Sequence, residues 1–186
     1  FTHNLEAYFA PSFHPMADGI ALQGLELILD NLPKVYKDGN DLDARAKMLM
    51  AATMGATAFQ KGLGMIHSMA HPLSSECGLH HGLANAVLLP TVIEFLEKSN
   101  LKTEQRKRIE NVRKLFQERG MAKGTLAQSC QDFFSSLGIK FGLSNHGVKK
   151  DQLEKLTHKA ILDPCHGNNM IPVVEKDFAA AFEKAF

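Results

Sequence analysis

The amino-acid sequence predicts an all-α domain of about eight helices. Apolar residues recur at helical spacing through most of the 186 residues, whereas the alternating runs typical of strands are nearly absent. Proline, glycine and asparagine divide the chain into segments of ordinary helix length. The chain is long enough for one sizeable core or two small ones, and no linker divides it. We therefore expect residues 1–186 to form one helical domain.

The first half of the chain contains a short helical segment followed by two longer helices. The opening FTHNLEAYFA is typical of the end of a helix, which the prolines that follow it terminate. Asp18 is the predicted N-cap of a helix that runs to about Tyr36. Asp41 is the predicted N-cap of a long helix that ends near Phe59. This third helix is rich in alanine, methionine and glycine, which favours close packing against its neighbours.

The second half contains a histidine-rich segment and five further helices. We expect these helices at about Gly82–Lys98, Thr103–Arg119, Leu126–Phe134, Lys150–Leu162 and Glu175–Phe186. Pro90 must kink or interrupt the first of them, because proline has no backbone N–H to donate. Asp163 and Pro164 end the fourth.

The composition narrows the classes of partner and compartment. A formal net charge of +1 gives no reason to expect nucleic acid or an anionic membrane as a partner. The longest apolar run, Ala84–Leu96, is too short to span a bilayer. Three widely spaced cysteines without a CxxC pair do not suggest a disulfide framework, so we expect a reducing, cytoplasmic compartment.

Four of the nine histidines lie between His67 and His81, which points to metal or proton-transfer chemistry. His67 and His71 are four positions apart and project from one face of a helix, so spacing alone makes them equivalent. The intervening Ser-Met-Ala lacks the general-base glutamate of the HExxH zinc peptidases. His81 is a third candidate ligand and His3 a fourth. Three or four nitrogen ligands suit Zn²⁺ or Fe²⁺ better than Mg²⁺ or Ca²⁺.

The same residues carry a resemblance to a known family. The stretch FQKGLGMIHSMAHPLSSECGLHHGLANAVLLP resembles the signature of the iron-containing (group III) alcohol dehydrogenases. In that signature, G-L-G-x-x-H-x-x-x-H-P-L leads, ten residues after its second histidine, to H-G-x-x-N-A-x-L-L-P. Both halves and their spacing match here, and the ending DPCHGNNMIPVVEKDFAAAFEKAF is similar more loosely. The whole chain thus resembles the helical C-terminal domain of the family.

The resemblance implies a role for each histidine. One divalent metal, Fe²⁺ or Zn²⁺, would be held by His3, His67 and His81 together with an aspartate. That aspartate would fall two residues before Phe1, outside this sequence. His71 would face the nicotinamide and the substrate instead of the metal. His80 stands where many members have proline, and we assign it no metal role.

The resemblance also implies an activity. We expect a metal-dependent, NAD(P)-linked alcohol dehydrogenase or carbonyl reductase that acts on a small-molecule alcohol or aldehyde, with a homodimer as its assembly. The family's α/β nucleotide-binding domain would lie upstream, and the chain begins in what reads as mid-helix, so we expect a fragment that is inactive alone. The alternative hypothesis is a non-catalytic helical module in which the histidines bind a structural metal ion. Such a site would be closed and four-coordinate, whereas a catalytic site keeps an open position.

Overall fold

A computed structural model describes residues 1–186 and contains nine α-helices and no β-strand. The helices are α1 Thr2–Phe9, α2 Pro15–Lys37, α3 Leu42–Ala58, α4 Met65–Cys77, α5 His81–Lys98, α6 Thr103–Glu118, α7 Leu126–Ser136, α8 Leu153–Leu162 and α9 Glu175–Ala185. Short 3₁₀ helices lie at Phe59–Lys61, Leu143–His146, Lys150–Gln152 and Pro164–Asn168. The predicted all-α class is confirmed, with nine helices where about eight were expected.

Two predicted helix caps have different outcomes. The Asp41 carboxylate accepts a hydrogen bond from the backbone N–H of Ala44 at 3.0 Å, so that N-cap is confirmed. The N-cap predicted at Asp18 is wrong, because α2 begins at Pro15 and His14 caps it. Proline is well suited to the first helical position, since it needs no N–H partner there and its φ angle is already helical. The Asp18 carboxylate instead forms ion pairs with basic side chains from other parts of the chain.

Helix α4 is largely buried and carries two of the histidines. Its apolar side chains are almost fully buried, and it packs against α5 and α8. The helix continues through Pro72 and ends at Gly78, whose φ of +66° is the left-handed conformation that favours glycine at a helix terminus. Hydrogen bonds from the N–H groups of Gly78 and Leu79 back to the last turn complete this terminus. The chain then reverses, and α5 begins at His81.

Helix α1 is short, and six of its eight residues are buried. It packs closely against α2 and α3 because both present a glycine to it. A Cβ atom at Gly24 would lie 2.4 Å from Oδ1 of Asn4, and one at Gly55 would lie 3.1 Å from Cβ of His3. The two glycines therefore allow α1 to bring His3 toward α4.

All nine helices contribute to one connected apolar core of 42 buried residues. Phe116, Phe178, Phe182 and Leu5 are among its largest fully buried side chains. Burial of this apolar surface is the main force that fixes the relative positions of α1, α4 and α5. None of the nine helices combines the length and the hydrophobicity that crossing a lipid bilayer requires.

Candidate metal centre and active site

Three histidines from three different helices meet at one point. His3 on α1, His67 on α4 and His81 at the start of α5 each place one ring nitrogen within 4.8 Å of the other two. The rings of His3 and His67 are nearly parallel, with centroids 4.8 Å apart, and the ring of His81 lies 5.3 Å from that of His67. His67 is buried, whereas His3 and His81 are partly exposed. The cluster is therefore open on one side.

A buried carboxylate holds His67 in place. Oε2 of Glu6 lies 2.5 Å from Nδ1 of His67, and Oε1 accepts the backbone N–H of Ile66 at 2.7 Å. An ionised carboxylate can only accept hydrogen bonds, so Nδ1 of His67 carries the proton and Nε2 is left as the free nitrogen. The sequence analysis missed Glu6. The available signal was a carboxylate placed one helical turn after His3, the only Asp, Glu, Lys or Arg side chain in the opening FTHNLEAYFA.

The other two histidines of the cluster are neutral at pH 7. Burial lowers the pKa of His3 to about 4, and the neighbouring His67 adds to this effect. Burial also lowers the pKa of His81, with further contributions from the imidazoles around it. Neutral imidazole is the form that ligates a metal ion.

The residues present fit a divalent transition metal. The converging ring nitrogens of His3, His67 and His81 lie within 4.8 Å of one another. Two bonds of about 2.1 Å to a shared ion would nearly span that distance. A histidine that donates its second N–H to a carboxylate, as His67 does to Glu6, is the usual arrangement of a metal ligand. Next to His81, the amide oxygen of Asn85 is buried without a hydrogen-bond partner. A set of imidazole donors suits Fe²⁺ or Zn²⁺.

His71 lies beside this cluster but is not one of its three converging donors. Its ring stacks on that of His81, with centroids 5.3 Å apart and an angle of 16° between the planes. Its Nδ1 is 2.7 Å from Oδ2 of Asp163, and 42% of its side chain is exposed. The structure thus separates two histidines that sequence spacing alone could not distinguish.

Asp163 is the second carboxylate that the sequence analysis missed as a site residue, because it was assigned only to a helix end. Burial acts to raise its pKa. Hydrogen bonds from His71, Cys165 and Ser68 outweigh that effect, so the pKa of Asp163 lies below its usual range. This carboxylate is therefore ionised at neutral pH. His80, in contrast, is exposed at the N-cap of α5 and lies outside both groups of donors.

Comparison with known proteins gives a consistent result. The sequence profile described as "Fe-containing alcohol dehydrogenase family, C-terminal" matches residues 1–186. A 4-hydroxybutyrate dehydrogenase of Cupriavidus necator is 37% identical over 98% of this chain and 48% of its own length. An NAD-dependent methanol dehydrogenase of Bacillus methanolicus is 33% identical over 99% of this chain and 49% of its own length.

A solved structure supports the same relationship. The crystal structure of a 1,3-propanediol oxidoreductase superposes on the whole chain with a TM-score of 0.89 and 30% identity, and the match covers 49% of that structure. The chain spans about half the length of the relatives it matches. It belongs to the Fe-containing alcohol dehydrogenase family and corresponds to the C-terminal domain of its members.

Proposed function

We propose that this chain is the helical, metal-binding half of a metal-dependent, NAD(P)-linked alcohol dehydrogenase or carbonyl reductase. The observation that carries the proposal is the convergence of His3, His67 and His81 from three helices, with His71 beside them. The relatives are about twice as long as this chain. We therefore propose that residues 1–186 act together with a nucleotide-binding half that holds the cofactor.

In this proposal His3, His67 and His81 hold one Fe²⁺ or Zn²⁺ ion. A divalent cation bound there would supply Lewis-acid chemistry toward the oxygen of an alcohol or a carbonyl compound. Glu6 keeps the Nε2 lone pair of His67 available by binding its Nδ1–H. The partial exposure of His3 and His81 leaves one side of the cluster accessible to a small molecule, which favours a catalytic over a structural site.

His71 is the proposed proton-transfer residue, and it also faces the nicotinamide. Because Asp163 binds its Nδ1, the free Nε2 is the atom that accepts or donates the proton of the substrate hydroxyl. Its exposed position lets it contact substrate and cofactor, which the buried His67 cannot do. A nicotinamide cofactor would supply the hydride acceptor or donor.

The proposed setting is the cytoplasm. All three cysteines are free thiols, and none is paired in a disulfide. This supports a reducing compartment. The proposed substrates are small alcohols or aldehydes, in keeping with the alcohols and hydroxy acids named for the relatives.

The test uses the full-length protein, loaded anaerobically with Fe²⁺ and assayed for reduction of NAD⁺ or NADP⁺ with a panel of alcohols, diols and hydroxy acids. We expect turnover that chelation abolishes and that Fe²⁺ or Zn²⁺ restores. The 186-residue chain alone should show none. His158→Ala is a matched control, because His158 is exposed and belongs to neither group of converging donors. Turnover that survives complete removal of the metal would contradict the proposal.

A further inference from the structure

A hydrogen-bonded network of polar side chains contacts Nδ1 of His71. Oδ2 of Asp163 binds Nδ1 of His71 at 2.7 Å, and Oδ1 of the same carboxylate accepts the hydroxyl of Ser68 at 2.9 Å. Ser68 is fully buried and lies on α4 three residues before His71. The histidine and the serine therefore share one helix face and hold the same carboxylate between them.

The backbone after α8 fixes the position of Asp163. Its Oδ1 also accepts the N–H of Cys165 at 2.9 Å, which caps the 3₁₀ helix Pro164–Asn168. The Ser68 hydroxyl in turn accepts the N–H of His166 at 2.8 Å. Both carboxylate oxygens of Asp163 and the hydroxyl of Ser68 therefore have partners, and these contacts fix the direction of Oδ2 toward His71. A fully satisfied network of this kind is rigid.

We propose that Asp163 is a positioning residue that holds His71 in the Nδ1–H tautomer, with Ser68 fixing the carboxylate. An ionised carboxylate has no proton to donate, so the nitrogen that it contacts must carry the hydrogen. His71 then presents an unprotonated Nε2 toward the site, as a proton acceptor requires. The tautomer follows from the contacts of an ionised Asp163 carboxylate, whereas its catalytic consequence rests on the proposed function.

The alternative interpretation of the same region is a second metal site. Donor atoms of His71, Asp163 and Cys165 lie within 4.8 Å of one another, which is compatible with a second metal ion. The contact between His71 and Asp163 argues against it. At 2.7 Å the imidazole and the carboxylate share a hydrogen bond, and two bonds of about 2.1 Å to one ion would hold these atoms farther apart. The geometry therefore favours positioning over chelation.

The kinetic test is a double-mutant cycle in the full-length, metal-loaded protein. Asp163→Asn should lower kcat by about 10- to 100-fold, as loss of an orienting partner typically does, with KM nearly unchanged. The same substitution in a His71→Ala background should cause no further loss, because its effect passes through His71. Ser68→Ala should give a smaller loss that also disappears in that background. Losses that add in the double variant would overturn the proposal, since a purely structural role predicts additivity.

A spectroscopic test needs no turnover. In the Zn²⁺-loaded protein labelled with ¹⁵N-histidine, His71 should show a protonated Nδ1 and an unprotonated Nε2. Observation of the Nε2–H tautomer would overturn the assignment. So would a second zinc ion per chain that Cys165→Ala removes, because chelation would break the contact between His71 and Asp163. If the protein turned over no alcohol, the proposed function would fail, while the tautomer measurement would still test Asp163 independently.

Discussion

Helix α4 carries two histidines four residues apart, His67 in its first turn and His71 at its middle, and the fold gives them different surroundings. His67 is 2% exposed, and Glu6 from α1 binds it. The side chain of His71 is 42% exposed, and Asp163 from the segment after α8 binds it. In both pairs a carboxylate contacts Nδ1, so in both rings Nε2 is the nitrogen left free.

The comparison shows that a shared helix face does not imply a shared role. A buried imidazole that points toward two others suits a ligand that holds its position. A half-exposed imidazole at the edge of the cluster suits a group that must meet a substrate. The difference arises from the groups that contact α4, because Glu6 of α1 lies buried against His67, whereas the side chain of His71 stays partly exposed.

Among the variants expected to keep the metal ion, the largest effect on turnover should come from removing His71, the half-exposed histidine of the pair. His71→Ala should lower kcat by roughly 10²- to 10⁴-fold, which is typical of a lost general acid–base group. Steady-state assays of the full-length protein with a small alcohol measure this loss, and His158→Ala is the control for removal of an exposed imidazole. Turnover equal to that of the wild type would show that His71 transfers no proton.

Removing the charge of Glu6, which binds the buried His67, should have an intermediate effect, and the quantity affected is metal affinity. Glu6→Gln keeps the shape of the side chain and an oxygen for the Ile66 N–H, but it loses the ionised acceptor for His67. We expect metal affinity to fall by about 10- to 100-fold, as for other groups that orient a metal ligand. Competition with a chelator of known affinity measures this change.

The control for this variant is Glu154→Gln, which removes an exposed carboxylate elsewhere in the chain. It should leave metal affinity unchanged. If Glu6→Gln also left the affinity unchanged, Glu6 would serve packing alone, and the parallel between the two histidine–carboxylate pairs of α4 would be wrong.

The smallest effect should come from a surface contact near the C-terminus of α4. Glu76 forms ion pairs with Lys155 and Lys159 of α8, and hydrogen bonds from these two lysines lower its pKa from 4.5 to about 2. A lowered folded-state pKa contributes stability above the unfolded value, and this contribution is lost as the pH falls from about 4.5 toward 2.

The matching variant is Glu76→Gln. It should lower Tm at pH 7 by no more than about 3 °C, because exposed ion pairs contribute little. The difference in Tm between Glu76→Gln and the wild type should shrink as the pH falls to 3. Thermal unfolding followed by circular dichroism at both pH values measures it. A difference that grows at low pH would contradict the assigned direction of the pKa shift.

Most of the fold can be predicted from the sequence, because helical periodicity and turn residues are local signals. The residue pattern likewise gives His67, His71, His81 and His3 as candidate ligands, and the family resemblance gives His71 a role separate from the other three. The failure at Asp18 has a physical reason. Its carboxylate pairs with Lys61 and Arg108, which are 43 and 90 positions away, and such contacts leave no trace in local spacing.

The two supporting carboxylates were missed for the same reason. Glu6 is 61 positions from His67, and Asp163 is 92 positions from His71. No periodicity connects residues so far apart, and only the packing of α1 and of the segment after α8 against α4 brings them together. The candidate ligands could therefore be predicted from the sequence, whereas the groups that orient them could not.

The most direct test of the central claim is metal analysis of His67→Ala and His71→Ala, purified side by side from the full-length protein. His67→Ala should retain little metal, because one of few ligands is lost. His71→Ala should retain nearly one ion per chain, because its ring lies outside the converging donors. If His71→Ala also lost its metal, His71 would be a ligand, and the division of roles along α4 would be wrong.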